Sequence, residues 1–226
     1  MVQDSYDAPG QPSRAETGVA VQGFGDLAER VVGGAARLGA VRMVAVDGPA
    51  GAGKTTFAGR LAGAVRATGA TVAELHVDDL LAGWAGMATF WPRLERDVLA
   101  KLRRGHPGAY QRYDWEAARF GEYLAVAVPD VLLLEGVTSA RAAIRAELTL
   151  SVFVSAPPDL RLARGIARDG EALRPQWLRW QAEEHRHFAA DRTVEHVDLL
   201  VDGAPTAPHD PRTEYLRQLR GGGRSG

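Results

Sequence analysis

Apolar positions along the chain switch repeatedly between a helical and an extended period. Phe24, Leu27, Val31, Val32, Ala35 and Leu38 fall three to four apart, which predicts a helix over 24–38 that stops at Gly39. A β-rich run over 41–46 leads directly into glycines, and Phe57, Leu61 and Val65 mark a helix after them. A second strand is predicted over 72–77, ending at Asp78-Asp79. Phe90, Leu94, Val98 and Leu102 then predict a helix over 88–102. Residues 131–134 are continuously apolar, as a strand buried on both faces requires, and 148–154 form another such run. An arginine-rich helix is expected over 158–168, a further helix over 176–188, and a fifth strand over 197–201.

Strands alternating with helices predict an α/β fold with a parallel sheet covered on both faces. Such sheets bind ligands beyond the carboxyl ends of their strands, and Asp78, Asp79 and Glu135 fall at those ends. Residues 1–22 mix Gly, Pro, Ser, Gln and acids without period and read as a flexible leader. The domain is expected over 23–203, and 204–226, rich in proline and ending in glycines, reads as a flexible tail.

The 226 residues suit one domain with a substantial core. Basic and acidic residues nearly cancel, 27 against 28, which removes any whole-protein attraction to nucleic acid or membrane. There is no cysteine, so disulfides, thiolate zinc sites and cysteine nucleophiles are excluded. With no apolar run of membrane length and no signal-peptide pattern, a cytoplasmic protein is expected. The composition leaves room for a homodimer.

Residues 48–55, Gly-Pro-Ala-Gly-Ala-Gly-Lys-Thr, satisfy G-x-x-x-x-G-K-[ST] between a predicted strand and a predicted helix. Glycines let the backbone N–H groups wrap phosphate oxygens, and the helix N-terminus adds its dipole. Gly48, Ala50, Gly51, Ala52, Gly53, Lys54, Thr55 and Thr56 are therefore the expected nucleotide site. Lys54 would reach the β- and γ-phosphates, and the Thr55 hydroxyl would ligate Mg²⁺. Lys54 is one of only two lysines in the chain. Chance alone would give about 0.002 such matches per chain.

The chain has no asparagine, which excludes the guanine-reading Asn-Lys-x-Asp motif of GTPases and the catalytic loop of protein kinases. What remains is mainly small-molecule kinases. Five segments, in order and spacing, resemble the uridine-kinase-like group of P-loop kinases, which includes phosphoribulokinase and bacterial pantothenate kinase. They are Val-Asp-Gly-Pro-Ala-Gly-Ala-Gly-Lys-Thr-Thr (46–56), His-Val-Asp-Asp-Leu (76–80), Tyr-Asp-Trp (113–115), Leu-Leu-Leu-Glu-Gly (132–136) and Arg-Leu-Ala-Arg-Gly-Ile-Ala-Arg-Asp (161–169). The resemblance implies a P-loop NTPase fold with five parallel strands in the order 2-3-1-4-5 and a mobile lid. It also implies ATP and Mg²⁺, phosphoryl transfer to a hydroxyl of a nucleoside or similar small molecule, and leaves GTP open as a donor.

By the same resemblance, Asp78 matches the family's catalytic aspartate and is the candidate base. Asp79 would assist Mg²⁺ through water or contact the acceptor; the ordinary use of either aspartate is a turn or helix cap. Glu135 ends an apolar strand beside the P-loop, where it could hold Mg²⁺ or a substrate hydroxyl. Arg161, Arg164 and Arg168 share one helix face and resemble the lid arginines that stabilise charge on the moving phosphoryl group. Relatives often have adjacent arginines there, whereas Gly165 follows Arg164. Tyr113, Asp114 and Trp115 resemble the Tyr-Asp-Phe that cradles a nucleoside. Ala118 occupies the position of the usual histidine, and Arg119 stands one residue early. Trp84, Trp91, Tyr110, Trp177 and Trp180 are further candidates for an acceptor pocket. Thus Lys54, Asp78, Arg164 and Arg168 are the expected catalytic set, and Thr55, Asp78 and Glu135 the metal set. Two other readings stand beside this one. The acceptor could be a sugar, a pantothenate-like vitamin or a secondary metabolite, or the chain could be a regulatory module that binds ATP without transferring phosphate to a substrate.

Overall fold

The computed structural model describes residues 18–220. The strands are β1 (Val19–Gly23), β2 (Arg42–Asp47), β3 (Val72–His76), β4 (Gly108–Asp114), β5 (Arg119–Val126), β6 (Val131–Glu135), β7 (Leu148–Ser155), β8 (Leu199–Asp202) and β9 (Glu214–Gln218). The α-helices are α1 (Phe24–Val32), α2 (Lys54–Ala67), α3 (Trp91–Leu94), α4 (Ala100–Leu102), α5 (Pro158–Asp169), α6 (Arg174–Asp191) and α7 (Thr193–His196).

Seven strands make one sheet in the order β1-β9-β8-β7-β2-β6-β3. The five from β8 to β3 are mutually parallel, and read in chain order they give the expected 2-3-1-4-5 arrangement. Successive residues alternate between two cores. Val44, Val46, Leu133 and Val152 pack under α1 and α2, while Met43, Ala45, Leu132 and Leu134 face α3, α4 and α6. That alternation with both faces buried is why these strands read as unbroken apolar runs. The pairings Val46↔Glu135 and His76↔Glu135 bring the carboxyl ends of β2, β6 and β3 level, so the loops that follow them open onto one edge.

Several expectations change. The sheet gains two antiparallel strands, β9 beside β8 and β1 beside β9. β9 lies inside the stretch expected to be a loose tail, because Tyr215 and Leu216 are buried and the Tyr215 ring packs against Phe24 and Phe57 at 5.2 and 5.4 Å. Residues 19–22 of the expected leader belong to β1, while 1–17 and 221–226 lie outside the described residues. The first helix ends at Val32 instead of continuing to Leu38, since Gly33 and Gly34 follow and Leu38 turns back to bridge Val41. Finally, the Tyr-Asp-Trp segment sits on a hairpin, β4–β5, that hydrophobic periodicity does not reveal. The helix expected over 88–102 begins at Trp91 and carries a π-helical turn, Glu95–Leu99, between α3 and α4.

Candidate functional site

The P-loop runs from the end of β2 to the start of α2, as the motif predicts. Gly48 adopts a φ of +136°, and a Cβ there would lie 2.1 Å from the Val154 carbonyl oxygen, so only glycine lets the chain cross β7 this closely. No side chain caps α2, and its first turn carries no acid. The N–H groups of Gly51, Gly53, Lys54, Thr55 and Thr56 have no hydrogen-bond partner among the described residues. Unpaired donors at the N-terminus of a 14-residue helix, with glycines admitting close approach, fit a polyphosphate. Lys54 is buried, and its ammonium donates to the Pro49 carbonyl at 3.1 Å.

Three carboxylates organise the loops around this cradle. Asp47, 0% exposed, accepts from the N–H groups of Gly48 and Thr138 through Oδ1, at 2.7 and 2.8 Å. Its Oδ2 accepts from Ala140 at 2.8 Å, so one side chain ties the P-loop to the loop after β6. Burial raises its pKa from 3.8 to about 6 against the pull of those donors and of Lys54. Glu135 is buried and shares a 2.8 Å hydrogen bond with His76 Nδ1, which raises the histidine's pKa. Glu184, on α6, accepts from the Ala50 N–H at 2.9 Å and from the Arg161 guanidinium at 2.5 Å.

A cleft of about 1140 Å³ passes over the P-loop. Asp78 lies on its floor, open to solvent yet ringed by protein. Crowding raises its carboxyl pKa, opposed by Lys54 and aided by Glu135. One half of the cleft is walled by Leu81, Trp84, Trp115, Trp177 and Trp180, with Asp79 and Glu116. The Trp84 ring meets those of Trp115, Trp177 and Trp180 edge-on at 5.8, 5.8 and 5.9 Å. The other half continues past Thr56 to Arg60, Pro205, His209 and Tyr215.

Thus Gly51, Gly53, Lys54, Thr55, Thr56, Asp78, Asp79, Trp115, Glu135, Arg164 and Arg168 line one cleft together with Ala50. Ala52 is buried behind it, and Gly48 acts through its backbone path. Arg164 donates to the carbonyls of Gly51 and Gly203 at 3.0 and 3.1 Å, and Arg168 forms a two-bond pair with Asp169. Arg161 instead points into the interior toward Glu184, because its place on α5 faces the underside of the P-loop. Tyr113 packs against Trp115 and Phe120 outside the cleft lining. Asp114 accepts from the N–H groups of Glu116 and Ala117, closing the hairpin turn, and Arg119 is exposed opposite it on β5. Of the other aromatic candidates, Tyr110 donates to Asp79 at 3.1 Å, while Trp91 meets the Phe90 ring edge-on and lies under the Arg141 guanidinium. Gly165 has a clear cause: a Cβ there would lie 2.5 Å from the Trp177 ring.

Asp47, His76 and Glu184 were not singled out from the sequence. Asp47 and His76 stand inside the motif-bearing segments 46–56 and 76–80, but Glu184 lies in a helix with no local signal.

Among the described residues, no helix is long and apolar enough to cross a membrane, and no group of three or more His, Asp or Glu side chains forms a metal cluster. A P-loop metal needs no such cluster, since phosphate oxygens and water complete its shell.

No protein-family model matches the chain. No curated protein matches it either. Solved structures do. A possible uridine kinase from Bacillus stearothermophilus superposes with a TM-score of 0.59 at 20% identity, over 78% of this chain and 96% of that one. A putative fructose transport system kinase from Silicibacter sp. gives 0.48 at 20% identity, over 78% and 90%. The D-glycerate 3-kinase from Cryptococcus neoformans gives 0.40 at 18%, over 79% and 72%. The first likeness establishes that the fold is that of the P-loop kinases resembled by the sequence.

Proposed function

We propose that the chain is an ATP-dependent small-molecule kinase that phosphorylates a hydroxyl of a nucleoside or nucleoside-like acceptor. The observation that carries this reading is the meeting, in one cleft, of an unpartnered phosphate cradle and the carboxylate of Asp78. A module that only bound nucleotide would have no use for an acceptor base opposite the cradle. The name of the Bacillus stearothermophilus neighbour agrees with a nucleoside acceptor.

The free N–H groups of the P-loop and the Lys54 ammonium bind the β- and γ-phosphates, and the far end of the cleft, between Arg60, His209 and Tyr215, takes the base. Thr55, Asp78 and Glu135 would hold Mg²⁺, which neutralises phosphate charge when bound. Asp78 accepts the acceptor's hydroxyl proton as the acceptor oxygen bonds to the γ-phosphorus and the β–γ bridging bond breaks, releasing ADP. Its raised pKa makes it a stronger base than an ordinary aspartate. Arg164 and Arg168 stand on the same side to offset charge on the transferring group.

The indole wall favours a flat acceptor body. That half of the cleft also disfavours acids. Its carboxylates include Asp78, Asp79 and Glu116, and Arg168 beside them is held by Asp169. A carboxylate-bearing acceptor such as pantothenate would be repelled by these carboxylates.

ADP release with Mg·ATP across nucleosides, deoxynucleosides, pantothenate and sugars tests the proposal, alongside Asp78→Asn. Stimulation by a nucleoside is expected, reduced at least about 100-fold in the variant with ATP affinity retained. ATP binding with no stimulation by any member would refute the nucleoside kinase and favour a regulatory module or an acceptor of another class.

A further inference from the structure

Glu184 is 1% exposed and sits on α6, a helix whose neighbours along the same stripe, Trp177 and Trp180, wall the acceptor half of the cleft. The three residues are spaced i, i+3 and i+7, so one helix face reaches from the acceptor wall to the P-loop. Both carboxylate oxygens are committed. Oε2 accepts from the Ala50 N–H at 2.9 Å, and Oε1 accepts from the Arg161 guanidinium at 2.5 Å. Arg161 in turn donates its Nε to the Ala156 carbonyl at 3.1 Å and a terminal nitrogen to the Ala50 carbonyl at 3.4 Å. The backbone of Ala50 is thereby gripped in both adjoining peptide groups, its N–H by Glu184 and its C=O by Arg161.

This grip falls where the P-loop most needs one. Residues 48–53 contain three glycines and carry no side chain long enough to anchor the loop. A loop held by so little has many conformations to lose on binding phosphate, and fixing it beforehand removes that cost from the binding step. A buried ion pair is also a poor choice for stability alone, because apolar residues of similar volume usually serve as well. What the pair supplies that apolar residues cannot is a directional hold on a backbone N–H and its carbonyl.

We infer that Glu184, with Arg161, is a positioning residue for the nucleotide: it presets the P-loop before ATP arrives and ties that loop to the helix bearing the acceptor wall. Arg161 accordingly acts on the cradle from beneath and does not touch phosphate. The inference rests on the proposed function only in taking a nucleotide as the ligand of the cradle.

The test reads nucleotide binding directly, by calorimetric titration of the full chain with Mg·ADP, so it does not depend on phosphoryl transfer. Glu184→Gln, which keeps the shape but halves the acceptor capacity toward the two donors, is expected to raise the Kd about tenfold or more. The double variant Arg161→Met with Glu184→Met removes both buried charges together. It is expected to unfold thermally within a few degrees of the wild type and still bind Mg·ADP at least about tenfold more weakly. Wild-type affinity in either variant would overturn the inference, because the pair would then be structural only. A third readout needs no variant: hydrogen exchange of the Ala50 amide in the nucleotide-free protein is expected to be strongly protected. Exchange at the rate of an open loop would equally overturn it. A chain that binds Mg·ADP as described yet phosphorylates nothing would sink the kinase and leave this inference standing.

Discussion

Asp47→Asn gives the most sharply defined test of the scaffold behind the cradle. The wild-type carboxylate accepts three N–H groups, two on Oδ1 and one, from Ala140, on Oδ2. An asparagine oriented to keep the first two would turn its NH₂ toward the Ala140 N–H, donor against donor. The variant loses that bond but also sheds a buried charge, so its stability at neutral pH mixes two opposing effects. The pH dependence separates them. The folded-state pKa of Asp47, about 6, lies above its ordinary 3.8. The native protein therefore holds this proton more tightly than the unfolded chain does. The stabilisation is fully present below about pH 4 and is lost as pH rises through about 6. The whole span corresponds to about 3 kcal/mol at about 1.4 kcal/mol per decade. Of that, about 2 kcal/mol is present at about pH 4.5 and nearly none at about pH 7. Urea unfolding of both proteins at these two values, followed by circular dichroism, gives the difference directly. On acidification the wild type should gain about 2 kcal/mol relative to the variant. A difference that stays constant within about 0.5 kcal/mol would refute the account in which burial of Asp47 outweighs its three donors.

Two further outcomes follow from the cleft wall. Gly165→Ala puts a methyl group 2.5 Å from the Trp177 ring, so α5 and α6 must part. A loss of about 1–3 kcal/mol in stability is expected, and an unchanged melting temperature would show that the helices are not in this contact. Trp84→Ala removes the ring on which three other indoles converge. It should raise the acceptor KM about tenfold or more while the ATP KM moves less than about twofold; equal effects on both would remove this wall from acceptor recognition.

The phosphate cradle was legible because its chemistry is local. Eight consecutive residues supply the glycines, the lysine and the helix start, and nothing distant need be known. The parallel core was legible for a similar reason, since 131–134 and 148–154 carry their burial in their composition. Arg161 illustrates the limit. Its helical spacing with Arg164 and Arg168 is real, yet which arginine turns inward depends on Glu184, 23 residues further on and in a helix with a weak apolar stripe. Asp114 was open to a local use that no motif distinguishes from ligand binding, closing its own turn. β9 escaped notice because the prolines before it mask a strand whose burial depends on Phe24 and Phe57, far away in sequence. The helix expected to reach Leu38 was overextended because Ala35 and Leu38 preserve the period after two glycines have already ended the helix.

The added ribbon of β1 and β9 bears on how the protein responds to mechanical force. The pairing runs from Val19↔Gln218 to Gly23↔Glu214, and the Leu219 N–H donates to the Gly18 carbonyl at 2.8 Å. Gly18 and Leu219 therefore lie side by side at the same end of the ribbon. Tension applied at these two residues peels its hydrogen bonds one at a time, as a zipper opens, so small forces suffice. Once the ribbon is gone, the load passes to β2 and β8, which are parallel and flank β7, and which would be drawn from opposite ends. There the bonds of whole strands must slide together. A machine that unfolds the chain by pulling would strip the sheet's antiparallel edge easily and then stall against the block that carries the cleft.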